Sequence, residues 1–242
     1  MVTPGPLAKL VNTEISTRLT QIRQRIEAAC MRAGRSVSEV TLVGVTKTVS
    51  AERVREAIEA GLTVLGENRV QEAENKITAL QDLRSQVEWH LIGHLQSNKA
   101  RRAIALFNAI QSVDSSELAA RLNRLAEESG KRTPVFIEVN VGGEAAKAGV
   151  APEDVLRLIE RISSLQALEL RGLMCVPPFL DPQDVRSFFK RLRELKDEAE
   201  RLGLADQSFK HLSMGMSHDF EVAIEEGATI VRVGTALFGV RT

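Results

Sequence analysis

The chain has 242 residues, 43% of them hydrophobic and 26% charged, which suits one α/β barrel and a core that needs neither disulfides nor metal. Its 32 basic residues balance 32 acidic ones, so nothing in the charge attracts nucleic acid or an anionic membrane, and neither is expected as a partner. Cys30 and Cys175 lie far apart, no apolar run approaches the roughly 18 residues of a membrane span, and the first residues lack a signal-type apolar stretch; a cytoplasmic protein without disulfides is expected.

Val11, Ile15, Leu19, Ile22, Ile26 and Ala29 recur at three- and four-residue steps and predict an amphipathic helix from about Leu7 to Gly34. Val40 to Lys47 follows, a β-branched and apolar run of the kind buried on both faces of a parallel sheet. It ends on an ammonium group. Ser50 caps a helix through Val54, Ala57 and Ile58 that Gly61 stops. Thr63 to Gly66 is a short strand, and the polar cluster Glu67 to Glu72 opens a helix to about Gln81. Val87 to Ile92 predicts the third strand, with Gly93 to Asn98 as its exit loop and a basic helix bearing Lys99, Arg101 and Arg102 after it.

Ala109 to Val113 is the fourth strand, leading to a helix capped near Asp114 or Ser115 and ended by Gly130. Pro134 to Val141 is the fifth, and Pro152 starts a helix striped by Val155, Leu158, Ile159 and Ile162. Leu168 to Val176 is the sixth, closed by Pro177 and Pro178. Val185, Phe188, Phe189, Leu192, Leu195, Ala199 and Leu202 mark a long amphipathic helix whose Arg and Lys residues form a solvated face. Phe209 to Leu212, a helix from Ser217 to about Glu226, and Thr229 to Val233 complete the pattern.

Eight strands alternating with helices, without a linker or composition shift, predict a single (β/α)8 TIM barrel over residues 1–242, with a doubly wound open sheet as the alternative. Only nine residues follow Val233, so the amino-terminal helix is expected to cover the seam between strands eight and one.

Such barrels gather their chemistry at the carboxyl ends of the strands and hold phosphates on the loops after strands seven and eight. Lys47 is at such an end, on the strand face that carries Val43 and Val45, while Leu42, Gly44 and Thr46 occupy the other. Partial desolvation there favours the neutral amine of a Schiff-base nucleophile; the plainer alternative is a surface lysine past a strand end. Ser213 to Ser217 and Gly234-Thr235 supply small residues that let backbone N–H groups approach an anion, although Asp219 and Glu221 would repel one unless they face away. Arg232 interrupts a buried strand, so it points to the mouth or pairs with a carboxylate such as Glu138. An amine for an aldehyde, a partner for a ring nitrogen and amides for a phosphate are the needs of pyridoxal 5'-phosphate.

Val45-Thr-Lys-Thr48, Gly66 to Glu72, Trp89 to Lys99, Arg171 to Met174, Leu212 to Ser217 and Val231 to Gly239 together resemble the YggS-type pyridoxal phosphate homeostasis proteins, across essentially the whole chain. The resemblance implies a barrel like the amino-terminal domain of alanine racemase, with Lys47 holding the cofactor as a Schiff base. It further implies Arg232 near the pyridine nitrogen, Ser213, Gly234 and Thr235 around the phosphate, and Asn68 at the cofactor's edge. Members are cofactor binders that balance vitamin B6 and amino-acid pools without an established reaction. Pyridoxal phosphate is therefore the expected ligand, apo pyridoxal-phosphate enzymes are candidate partners, and a monomer is expected. A racemase-like enzyme and a cofactor-free Schiff-base aldolase are the competing readings.

The other candidates are weaker. His90 and His94 are four apart, but Gly93 and a strand-to-loop context do not make a helical zinc pair, so no metal is expected. Lys147, beside the strand-five loop, is a loop lysine that could meet an anion; Cys175 and Trp89 are core residues.

Overall fold

The computed structural model describes residues 13–144 and 147–239. The start of the predicted first helix, from Leu7 through Val11, therefore lies outside the described residues. In chain order the elements are α1 (Glu14–Arg32), β1 (Thr41–Val45), α2 (Ala51–Glu59), β2 (Val64–Glu67), α3 (Val70–Ala79), β3 (Glu88–Leu91), α4 (Ala100–Leu106), β4 (Ala109–Val113) and α5 (Ser116–Glu128). They continue as β5 (Thr133–Glu138), α6 (Val155–Ser163), β6 (Leu168–Met174), α7 (Pro182–Arg201), β7 (His211–Ser213), α8 (Phe220–Glu225), β8 (Ile230–Val233) and α9 (Thr235–Phe238).

The strands pair in sequence order, all parallel, and β8 pairs back onto β1 to close an eight-stranded barrel. This is the predicted fold, and the open sheet is excluded. Several strands stop earlier than their apolar runs because the chain turns. Past β1, Val49 donates its N–H to the Thr46 carbonyl at 2.9 Å. Past β5, Val139 bridges Val150 instead of continuing. Glu67, assigned from the sequence to a helix opening, is the last residue of β2 and fully buried, since its side chain turns outward toward α3.

Strand alternation divides the interior in two. Outward side chains join the helices in one large core, while Val43, Val64, Ala109, Phe136, Met174 and Ile230 form a separate apolar plug inside the barrel. Two residues further along the same strands the inward positions become polar: Gln111, Glu138 and Arg232, all buried. The barrel therefore carries a polar layer on an apolar plug, on the side where the strands end.

α1 has the expected place. Its buried stripe of Ile15, Leu19, Ile22 and Ile26 packs beside α2, α8 and α9, across the seam of β8 and β1. Arg25 reaches Glu221 at 2.7 Å and stacks over Phe220 at 4.5 Å, and Arg32 reaches Glu225 at 2.8 Å. The basic residues of α7 are not all solvated: Arg186 binds Glu225 at the end of α8, and Arg186 and Arg193 bind Glu226 just past it, so part of that face is a contact between helices. Among the described residues no helix is long and apolar enough to cross a membrane.

If α1 is an integral wall of the barrel, Leu19→Ala lowers the unfolding free energy by about 2–5 kcal/mol, the usual range for emptying a buried leucine site. Urea denaturation measures it, and a change below ~1 kcal/mol would show that the seam closes without this helix.

Candidate functional site

A cavity of about 590 Å³ opens at the carboxyl ends of β1, β7 and β8, with Lys47, Arg232, Ser217, Gly234 and Thr235 on its wall and Phe179 at its rim. Hollows of similar size near Arg132 and Leu165, and near Thr41 and Arg84, lie at the opposite end of the barrel, where the strands begin. The first cavity is the candidate site: among the described residues, it brings together an amine, a guanidinium and two anion-type loops.

Lys47, half-buried, stands two residues past β1 in the second position of a tight turn from Thr46 to Val49. Thr48, in the third position, has φ 62° and is the one non-glycine residue with positive φ among the described residues. That is the pattern of a type II turn, whose third position normally needs glycine. A β-branched residue held there stores strain of about 1–3 kcal/mol.

Arg232 is 3% exposed and extends across the barrel interior. Its Nη1 donates to Ser213 Oγ and its Nη2 to the Cys175 carbonyl, both at 2.7 Å. The Ser213 hydroxyl then donates to Gln111 Oε1 at 2.6 Å, and Gln111 Nε2 faces His90 Nδ1 at 2.9 Å. With the amide donating, His90 accepts on Nδ1 and carries its proton on Nε2, toward Glu88 at 3.4 Å. A row of side chains from four strands thus fixes the guanidinium from below. Burial pushes Arg232 down from the usual guanidinium range, partly offset by Cys175, Glu138 and Asp219.

The ion pair with Glu138 offered by the sequence does not form. The guanidinium is committed to Ser213 and Cys175, and Glu138 acts on it through space. Burial pushes the Glu138 carboxyl up to about 7, against the pull of Arg232, and Oε2 of this buried side chain has no hydrogen-bond partner. Burial likewise raises the Cys175 thiol to about 12, which makes it inert; the backbone carbonyl is what this residue contributes.

Gly215 allows the loop after β7 to take its path. Its φ is 92°, and a Cβ there would fall 2.5 Å from the Ala223 Cβ and 2.9 Å from the Phe220 Cα. The Ser217 hydroxyl accepts from the N–H of Gly234 at 3.2 Å and of Ala236 at 3.3 Å, which ties this loop to the one after β8. The two acidic residues that threatened an anion here are turned away from it. Asp219 is buried and accepts the Met216 N–H, and Glu221 is engaged by Arg25. Neither lines the cavity.

The sequence-derived site residues separate into two groups. Lys47, Arg232, Gly234 and Thr235 meet at the cavity, while Ser213 and Asn68 do not line it. Ser213 is fully buried beneath, as the acceptor for Arg232. Asn68 follows β2, so close to Gly93 that a Cβ on the glycine would sit 2.5 Å from the Asn68 carbonyl oxygen, and its Oδ1 is buried without a partner. Lys147 is ion-paired with Glu144 at 2.7 Å, and His94 faces Asp114 at 3.3 Å. Trp89 and Cys175 lie in the outer core.

Sequence reasoning missed Gln111 and His90 as supports, the Ser217 hydroxyl as the link between loops, and Phe179 at the rim with His218 at 4.4 Å between ring centroids. The alternation that singled out Arg232 would also have found Gln111, two residues past Ala109. No signal marked Phe179, since the direction of a loop is not encoded by period.

The chain matches the family described as alanine racemase, N-terminal domain, over residues 18–242. It belongs to that family. Within it, the chain is 49% identical to the pyridoxal phosphate homeostasis protein of Aquifex aeolicus over 225 residues, covering 93% of this chain and 97% of the relative. The corresponding protein of Pseudomonas aeruginosa is 45% identical over 228 residues, covering 94% and 96%. Similarity at this level along nearly the full length assigns the chain to the pyridoxal phosphate homeostasis proteins. Among solved structures, Synechococcus elongatus PipY with PLP bound is similar at a TM-score of 0.82 and 38% identity, covering 93% of this chain and all (100%) of that one. A Clostridium difficile alanine racemase shares the fold alone, with a TM-score of 0.72 at 17% identity, covering 93% of this chain and 56% of the racemase.

The raised carboxyl of Glu138 has a thermodynamic consequence. Between the ordinary carboxylate range and about 7 the folded state holds a proton that the unfolded state has released, so stability falls as pH rises through that window. Glu138→Gln removes this slope: relative to the parent, the variant gains roughly 1–3 kcal/mol between pH ~5 and ~8 in chemical denaturation. Parallel stability profiles for the two proteins would show that Glu138 ionises normally.

Proposed function

We propose that this protein binds pyridoxal 5'-phosphate at the carboxyl-end mouth of its barrel and serves the cell's vitamin B6 balance as a holder of the cofactor. The observation that carries this reading is the convergence of Lys47 and the buried Arg232 on one cavity whose remaining wall is made by two loops of small residues. The similar PipY, solved with PLP bound, supports it.

The residues present fit the group. The bound cofactor supplies an aldehyde carbon and an electron-accepting ring. Lys47, on the cavity wall, would hold the group through its amine. Arg232, held by Ser213 and the Cys175 carbonyl, would offer its guanidinium to the ring nitrogen. Ser217, Gly234 and Thr235 surround the phosphate with hydroxyls and backbone N–H groups. Asn68 stands outside the cavity wall, and its unpartnered Oδ1 is the group it could offer to the cofactor's edge. Ser213, buried beneath the cavity, would act on the ring nitrogen indirectly, by holding Arg232, and not on the phosphate.

The same residues argue against turnover at an enzyme's rate. Racemising an amino acid needs an acid/base on each face of the ring, and the chain has no tyrosine to serve as the second. Arginine opposite the ring nitrogen is a poor proton donor, which leaves the ring less able to store the electrons of a carbanion. Storage and hand-over to apo pyridoxal-phosphate enzymes are what remain for such a site.

The purified protein with cofactor is expected to absorb near ~420 nm, and borohydride to fix the cofactor on Lys47. A protein that stays colourless would revive the cofactor-free aldolase. Pyridoxal without its phosphate is expected to bind at least ~100-fold more weakly, because each charge-assisted hydrogen bond is worth roughly 1.5–3 kcal/mol. Equal affinities would reduce the two loops to turns. With a panel of L- and D-amino acids, chiral chromatography is expected to find turnover well below ~1 s⁻¹; faster rates would make the protein an enzyme. Recovery of activity by an apo-enzyme mixed with the loaded protein tests hand-over.

A further inference from the structure

Behind the turn that carries Lys47 lies a buried charged cluster that the reading above does not use. Lys76 of α3 is 7% exposed, yet its ammonium donates to Glu67 Oε1 at 2.6 Å, to Glu72 Oε1 at 2.7 Å and to the Thr46 carbonyl. Glu67, fully buried, also accepts from the Thr46 hydroxyl at 2.6 Å, and Glu72 accepts the Thr48 N–H. The cluster therefore grips both neighbours of Lys47, Thr46 by its carbonyl and hydroxyl and Thr48 by its amide. Thr48 is also the residue held at φ 62°. A strained residue persists only where its surroundings over-determine it, and such residues gather at functional sites.

We propose that Lys76, acting through Glu67 and Glu72, is a positioning residue that holds the Thr46–Thr48 turn in its strained form and so aims the Lys47 amine into the cavity. The inference deepens the cofactor-binding reading and rests on it for the role of Lys47. Simple ion pairing in the core is the competing account, since buried pairs often add little to stability. The two accounts differ over Thr48. Glycine takes positive φ without strain, so Thr48→Gly should release the turn from its need for support but could not repair a core weakened by losing Lys76.

The test compares the wild type with Lys76→Met and with Glu72→Ala, each with and without Thr48→Gly. Glu72 is partly exposed, so Glu72→Ala carries the test alone if Lys76→Met does not fold. Two quantities are read: the rate at which added pyridoxal phosphate develops visible absorbance and becomes borohydride-fixed on Lys47, and, in cofactor-free protein, hydrogen exchange at the Thr48 amide. Each single variant is expected to react roughly 10-fold or more slowly and to exchange Thr48 faster, as strain of this size implies once unsupported. Adding Thr48→Gly should bring the reaction back to within about threefold of the wild type. Unchanged reaction rates and Thr48 exchange, or a loss that Thr48→Gly does not restore, would overturn the proposal. A wild type that develops no absorbance would instead overturn the cofactor reading, and Thr48 exchange in Lys76→Met, which keeps the Glu72 acceptor, would then decide the positioning role by itself.

Discussion

Pairing of β8 with β1 is the contact on which the site depends. It aligns Val43 with Arg232 and so sets the two charged side chains, from opposite ends of the sequence, at one mouth. Parallel pairing of this kind leaves no sheet edge and obliges every strand to end on the same side. The seam it creates would expose the outer faces of β1 and β8, and α1 covers them, clamped to α8 by Arg25 and Arg32.

A guanidinium inside a barrel is costly unless its hydrogen bonds are met. The structure meets two of them with a hydroxyl and a carbonyl, leaving the side chain charged without tying it to a carboxylate. That arrangement has a functional meaning. A carboxylate in contact would neutralise Arg232 toward any ligand, whereas Glu138, pushed up to about 7 by burial and lacking a direct bond to it, leaves the guanidinium's charge largely available to the cavity. The row through Ser213, Gln111 and His90 fixes the direction of the guanidinium.

Rigidity at the mouth comes from many small commitments. Gly215 lets a loop press against α8, Ser217 ties that loop to the next, and Asp219 closes it from beneath. On the other side Lys76, Glu67 and Glu72 grip the turn around Lys47. A site that captures a small ligand with charge-assisted bonds gains affinity when its donors are already ordered, because less conformational entropy remains to be lost. The similarity to pyridoxal phosphate homeostasis proteins along nearly the whole chain is consistent with a frame in which both walls matter.

Periodicity determined the eight strands, the helices between them and the placing of Lys47 and Arg232 at the carboxyl ends, because side-chain alternation and helical stripes are local properties of a chain, and the short run after Val233 added the covering role of α1. The position of the loops after strands seven and eight marked them as candidate anion sites, and the family motifs added the expectations for Ser213 and Asn68. Only the tertiary structure decided that Ser213 lies under Arg232, that Glu138 stays unbonded, that Asp219 and Glu221 turn away, and that Lys76 reaches the turn beside Lys47. Each of these is a choice among hydrogen-bond partners brought together from distant parts of the chain. Such choices are settled by distance and burial after the barrel closes, and no local pattern of residues carries them.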